Sequence, residues 1–382
     1  MPRHEPGTAP GTTVLHIGLP KTGSTALQYA ASSARAALAA AGTTYPGTRL
    51  HHRIPFLRLL DAPPDVATPS DVAAPFDVAA PPAWRRLLQQ VEDARRERPN
   101  GRVLLSAESA SQATPPQITR IVDDLGAPLH VVLTLRSIAE RVPSVWQQRV
   151  RNGHETRPLD AWSTALLDHD ASISDETRLQ ALGVAHLAAR WADAVGPAAV
   201  TAVIVDRASP RMLYDAFESL LGLPAGTLAD MPPGPEARLN RGMSPVEIEF
   251  ARRLRIAAAE AGVSAADASR LLHRGGFLRV QSVRTPPATE GRILLSSPIA
   301  DRLVQAAHEQ VDALTATGVR IIGDPRLLAA PPPVRDGDAP GLDAVPVDLA
   351  VETLLGVIAR ATGRDHLFGT DRAEDDGAEP PP

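Results

Sequence analysis

Gly18-Leu19-Pro20-Lys21-Thr22-Gly23-Ser24-Thr25 follows the apolar run Val14 to Ile17 and opens a long helical pattern. A strand that ends in a glycine-bearing turn and passes straight into a helix aims several backbone N–H groups, and the positive end of the helix dipole, at one spot. Such a spot favours an anion. Lys21 adds a mobile point charge, and the hydroxyls of Thr22, Ser24 and Thr25 add short donors within reach of phosphate oxygens. The stretch points to nucleotide chemistry on an α/β scaffold.

The order of residues narrows the chemistry. A Walker A loop places its lysine directly after the second glycine, whereas Lys21 precedes Gly23 by two residues. A second segment lies about a hundred residues on. Leu129 to Leu135 is a β-branched apolar run of the length of a strand buried on both faces, and Arg136 ends it. From Arg136 to Trp146 the pattern turns helical, with Ser144 eight residues after Arg136. A guanidinium fork matches phosphate geometry, and a hydroxyl two helical turns along adds a donor. Pro143 removes a backbone donor from this helix, which predicts a kink or a start near Ser144.

Pro-Lys-Thr-Gly-Ser-Thr, after a strand and before a helix, resembles the 5′-phosphosulfate loop of sulfotransferases that use 3′-phosphoadenosine 5′-phosphosulfate (PAPS). Arg136 and Ser144 resemble that family's 3′-phosphate motif. The resemblance covers roughly residues 13 to 250 and implies a P-loop-like three-layer α/β fold with a mainly parallel central sheet and a helical C-terminal part. It implies PAPS as sulfuryl donor with no metal. Pro20, Lys21, Thr22, Gly23, Ser24 and Thr25 would hold its 5′ end, with Arg136 and Ser144 on the 3′-phosphate. Arg241 and Gly242, in a segment similar to the Asn-containing stretch of bacterial members, are a weaker match to a further phosphate contact, because the family's lysine is absent there.

In-line transfer to an acceptor hydroxyl needs charge stabilisation at the leaving phosphate, a role for Lys21, and a base. Ligands of open α/β sheets sit beyond the C-terminal strand ends. Glu108, just after the strand Val103 to Ser106, is at such an end. Many bacterial and glycan sulfotransferases look similar here, with a glutamate near the site. Glu108 equally suits a cap of the following turn, and a magnesium-binding carboxylate is disfavoured by the loop order. His16, His51 and His52 are the rival bases. His16 lies within a strand, where packing is the commoner role, and His51 and His52 fall in a loop. None of these three histidines has a metal-ligand spacing with another His, Asp or Glu.

The chain of 382 residues has 37 prolines, no cysteine and a net charge of −5. The absent cysteine excludes disulfides, thiolate nucleophiles and Cys-based zinc sites. The charge argues against nucleic acid as a partner, and basic pairs such as Arg149 and Arg151 read as phosphate or solvent contacts. The N-terminal residues lack the apolar core of a signal peptide, and no run reaches the length of a membrane span, so a cytoplasmic protein is expected. The expected partner is an acceptor bearing a hydroxyl or amine: a carbohydrate, lipid or small natural product. Oligomeric state is not legible.

Alternating elements predict a parallel sheet: strands near Thr13–Ile17, Arg102–Ser106, Leu129–Leu135 and Ala199–Val205, and helices at Ser24–Ala41, Ala83–Arg98, Gln117–Asp124, Leu179–Val195 and Pro210–Leu221. The expected organisation is a flexible N-terminus (1–12), one domain (13–330), a Pro/Gly-rich linker (331–346), a C-terminal helix (347–370) and a disordered acidic tail (371–382). Within the domain, 61–82 holds three copies of an Asp-Val-Ala-bearing hexapeptide, read as an inserted loop. Two rival functions stand: an ATP- and magnesium-dependent small-molecule kinase on a variant loop, and a non-catalytic nucleotide-binding relative.

Overall fold

Thr13–His16 (β1) is buried at every residue, as a strand covered on both faces must be. The computed structural model describes residues 7–61, 80–232, 241–337 and 341–364. The hexapeptide copies over 62–79, the 371–382 tail and the segment 238–240 lie outside the described residues. The chain divides into two compact units, each assembled from three separate stretches. The first comprises Met1–Arg136, Gly183–Gly234 and His308–Leu328; the second comprises Ser137–Leu182, Pro235–Ala307 and Ala329–Pro382.

The first unit is an α/β unit. Its strands are β1, β2 (Thr43–Thr44), β3 (Arg102–Ser106), β4 (Leu129–Leu135), β5 (Val200–Ile204) and, further along the chain, β7 (Arg320–Ile322), and they form one sheet in the order β2-β3-β1-β4-β5-β7. Every pairing is parallel. Helices flank it. Helices α1 (Ser24–Ser33), α2 (Arg35–Ala40) and α10 (Met212–Leu221) bury Leu27, Ala30, Leu38, Phe217 and Leu220 against Val14, Leu104, Val132 and Val203. Helix α4 (Pro82–Glu97) packs on β3, and α9 (Val184–Val195) on β4 and β5. α3 (Arg53–Asp61) and α5 (Pro115–Leu125) complete the unit's helices named here.

Two predicted helices are broken in the structure. The Ser24–Ala41 run divides at Ala34, whose ψ of 11° opens the turn and lets Leu38 join the same core as Leu27. Leu179–Val195 divides at Gly183, the residue least costly to unwind, into α8 (Asp175–Leu182) and α9. The short strand β7 and helix α3 carry too little periodic signal to be read in advance.

The second unit is mainly helical. Helix α6 (Ile138–Asn152) starts earlier than expected from Pro143. Ser137 caps it by accepting from the Glu140 N–H at 3.3 Å, and Pro143 lies inside the helix. One lost backbone bond is outweighed by burial of Val142, Pro143 and Trp146. Helix α7 (Leu159–Leu167) and α8 follow. Pro245–Glu260 opens with a capping box, Ser244 and Glu247 exchanging backbone and side-chain bonds. Residues 265–283 form a helix whose middle, Ala268–Phe277, winds as a π-helix. It meets the C-terminal helix Val347–Thr362 at Gly275, Gly276 and Gly356; a Cβ on Gly356 would lie 2.6 Å from the Gly275 carbonyl oxygen. β6 (Leu295–Ser296) and β8 (Val334–Arg335) pair as a two-stranded parallel sheet. Among the described residues no helix is long and apolar enough to cross a membrane.

Candidate functional site

Strand order brings three chain ends to one edge of the first unit. β1 lies between β3 and β4, with His16 in register with Ser106 and Val132. Beyond β1 the chain stays paired to β4 for three more residues: the Ile17 N–H donates to the Val132 carbonyl at 3.0 Å, the Thr134 N–H to the Gly18 carbonyl at 2.7 Å, and the Leu19 N–H to the Thr134 carbonyl at 2.8 Å. Arg136 is thus two residues past the anchor of the Gly18–Thr25 loop, and it is half-buried. On the other flank the Ala107 N–H donates to the His16 carbonyl at 2.9 Å, and Glu108 comes next. A Cβ built on Gly18 would lie 3.0 Å from Cγ of Glu108, so the glutamate side chain packs directly on the first residue of the loop.

The loop's curvature comes from three left-handed residues: Gly18 (φ +75°), Lys21 (φ +69°) and Gly23 (φ +94°). For Lys21 this conformation costs an L-residue about 1–2 kcal/mol. Such strain persists where the surroundings impose it, and it clusters at ligand sites. At Gly23 a side chain is excluded by space as well, since its Cβ would meet Cδ2 of Leu213 at 2.9 Å. Gly23 is the N-cap of α1 and contributes no side-chain cap, so the first-turn N–H groups of this ten-residue helix have no side-chain acceptor there. Lys21 is exposed and Ser24 buried, with Pro20 and Thr25 intermediate. Pro20 has no N–H to offer a ligand.

Two of the expected hydroxyl donors face inward. Thr22 is buried and donates to the Leu19 carbonyl at 2.5 Å; Ser24 donates to the same oxygen at 3.2 Å. Donor counting then fixes a directed chain. With its proton on Leu19, Thr22 accepts from the Thr134 hydroxyl at 2.6 Å. Thr134 in turn accepts from Nε2–H of His16 at 3.1 Å, leaving Nδ1 of His16 to accept from Ser106 at 2.8 Å, and Ser106 accepts from Gln28 at 3.0 Å. Thr22 therefore holds the loop shape rather than presenting its hydroxyl.

This network also removes two rival bases. His16 is buried with both ring nitrogens bonded, and burial pushes its pKa down to about 3. His52 accepts from the Ser106 N–H at Nδ1 and donates to the Pro46 carbonyl from Nε2; burial lowers its pKa to about 4. His51 is half-buried, and its Nδ1 has no hydrogen-bond partner among the described residues. Thr134, Ser106 and Gln28 were not singled out from sequence. Their signal was a polar residue inside an otherwise apolar strand or helix face.

Ser144 lies on α6 in the second unit, half-buried, whereas Arg136 closes a segment of the first. Arg241 does not serve as a phosphate contact in this structure. Its guanidinium is committed to Glu247 at 2.6 and 2.8 Å and to the carbonyls of Val280 and Arg284. Glu247 is fully buried and also accepts from Arg284 at 2.9 Å, so two guanidiniums satisfy the oxygens of a buried carboxylate. Among the described residues no group of three or more His, Asp or Glu gathers to hold a metal.

No family model matches the chain, and no curated protein matches its sequence. The crystal structure of a sulfotransferase from Alicyclobacillus acidocaldarius is similar over 67% of this chain and 96% of that one, at 16% sequence identity and a TM-score of 0.35. A likeness of that degree decides nothing about chemistry.

Proposed function

We propose that the chain is a PAPS-dependent sulfotransferase acting on a hydroxyl or amine of a carbohydrate, lipid or small natural product. The observation that carries this reading is the packing of Glu108 against Gly18, at the mouth of a left-handed loop that opens an uncapped helix. One edge thereby offers an anion-binding end and, beside it, a carboxylate able to take a proton. The lysine precedes the second glycine, which separates this loop from the Walker A order.

The residues present suit the donor. Backbone N–H groups at Gly23, Ser24 and Thr25, with the ammonium of Lys21, would hold the 5′-phosphosulfate. Arg136, just past the loop's anchor on β4, would hold the 3′-phosphate, and Ser144 is the further donor that the sequence resemblance implies. The donor, when bound, supplies a sulfuryl group on a phosphate leaving group. Lys21 offsets charge on that phosphate, and Glu108 accepts the proton of the attacking hydroxyl. No metal has a role in the scheme.

Calorimetric titration with adenosine 3′,5′-bisphosphate, AMP and ATP, each with and without magnesium, tests it. The expected result is at least a tenfold preference for the bisphosphate that magnesium does not alter. Magnesium-dependent preference for ATP overturns the reading in favour of a kinase. Preference for the bisphosphate with unchanged cellular or in vitro function in Glu108→Gln favours a nucleotide-binding relative without catalysis.

A further inference from the structure

The second unit holds two arginines and a histidine that, among the described residues, have no carboxylate counter-charge. Arg151 lies in the last turn of α6, Arg255 lies on Pro245–Glu260, and His273 sits in the π-helical stretch Ala268–Phe277. Arg255 donates to the Arg151 carbonyl, Arg151 donates to Oε1 of Gln281, and both guanidiniums act on His273 through their charge. The Arg255 guanidinium also lies 5.5 Å from the ring centre of Phe277 and would meet a Cβ on Gly153 at 2.9 Å. Among the described residues none of the three has a carboxylate partner, and Nε of Arg151, Nε of Arg255 and Nδ1 of His273 are all buried without a hydrogen bond. The Arg274 guanidinium and the His154 imidazole also face His273, and the exposed Gly153, His154 and Arg274 place the cluster at the surface.

Charges removed from water without a partner are costly, and natural proteins keep them where a ligand completes them. The C-terminal dipole of α6 offers about half an elementary charge. That leaves most of the charge of two guanidiniums unbalanced. A π-helical stretch is itself uncommon and recurs at functional sites, because its wider turn re-aims side chains.

We propose that Arg151, Arg255 and His273 form a binding site for an oxyanion, the sulfate, phosphate or carboxylate group of a small molecule. Two guanidiniums supply forked donors and the imidazole supplies a third, switchable one. The site stands apart from the reading of the Gly18–Thr25 loop, and its failure and that reading's failure are separately visible.

The test follows ring ¹⁵N signals of His273, assigned with His273→Asn, in full-length protein labelled at histidine. Burial and the surrounding cations lower the His273 pKa to about 4, so without anion the ring stays neutral from pH 5 upward. An anion between the arginines reverses the local field. With saturating sulfate, His273 should titrate above pH 5, a rise of at least one unit, and Lys21→Ala, which disables the loop, should leave this response in place. Arg151→Gln should weaken sulfate binding at least tenfold. Parallel titrations with phosphate, acetate and glucose 6-sulfate separate sources: tighter binding of the sugar sulfate than of inorganic sulfate assigns the oxyanion to an organic ligand, and equal binding assigns a free ion. An unchanged His273 signal in all four titrations overturns the proposal. The wild-type measurement decides even where Arg151→Gln does not fold.

Discussion

Replacing Gly18 with alanine probes the contact on which the site depends. The new side chain has to hold φ at +75°, which costs about 1–2 kcal/mol for an L-residue. Its Cβ would also lie 3.0 Å from Cγ and 3.3 Å from Cβ of Glu108. To clear it, Glu108 must leave its rotamer, a further cost of ~0.5–1.5 kcal/mol. Reduced freedom of the unfolded chain returns ~0.4–1 kcal/mol. The sum is a net destabilisation of about 0.5–3 kcal/mol, part of which vanishes when the Glu108 side chain is shortened. Urea unfolding of the wild type, Gly18→Ala, Glu108→Ala and the double variant measures that part as a coupling energy. The structure predicts a coupling of about 1 kcal/mol, with Gly18→Ala less harmful in the shortened background. Equal cost of Gly18→Ala in both backgrounds would refute the packing of Glu108 on the loop and, with it, the proposed base.

Four more outcomes follow from the same geometry. Lys21→Gly should be more stable than Lys21→Ala by about 1 kcal/mol, because only glycine relaxes the left-handed backbone; equal unfolding midpoints would contradict the strained loop. His16 is neutral when folded, with its pKa depressed to about 3, so the unfolded chain binds the extra proton as pH falls below 6.5 and stability is lost. Between pH 6.5 and 5 this amounts to about 1.5–2 kcal/mol for His16 alone, and His16→Gln should flatten the pH dependence of urea midpoints by that amount. Glu108→Gln should lower turnover at least ~100-fold while leaving bisphosphate affinity unchanged; a matched loss of affinity would make Glu108 a structural cap. Arg136→Ala should weaken adenosine 3′,5′-bisphosphate about tenfold and AMP hardly at all, and parallel losses for both nucleotides would remove Arg136 from the 3′-phosphate.

Local sequence determined the central strands of the parallel sheet, while the short edge strand β7 was not legible in it. Leu129–Leu135 and Arg102–Ser106 form as read because an apolar β-branched run bounded by breakers has few other ways to be buried. The loop was legible for the same local reason: its glycines, lysine and hydroxyls are contiguous in the chain. Tertiary structure decided what neighbours each group. Strand order, which no local pattern encodes, set Glu108 against Gly18 and placed Arg136 beside the loop's anchor. It also turned Thr22 inward onto Leu19 and locked His16 and His52 into hydrogen bonds, so that residue types suited to catalysis became part of the scaffold. The cationic cluster was equally hidden, because Arg151, Arg255 and His273 lie on three separate helical segments. Burial and pairing depend on residues about a hundred positions apart meeting in space, and only the folded chain specifies which of them meet.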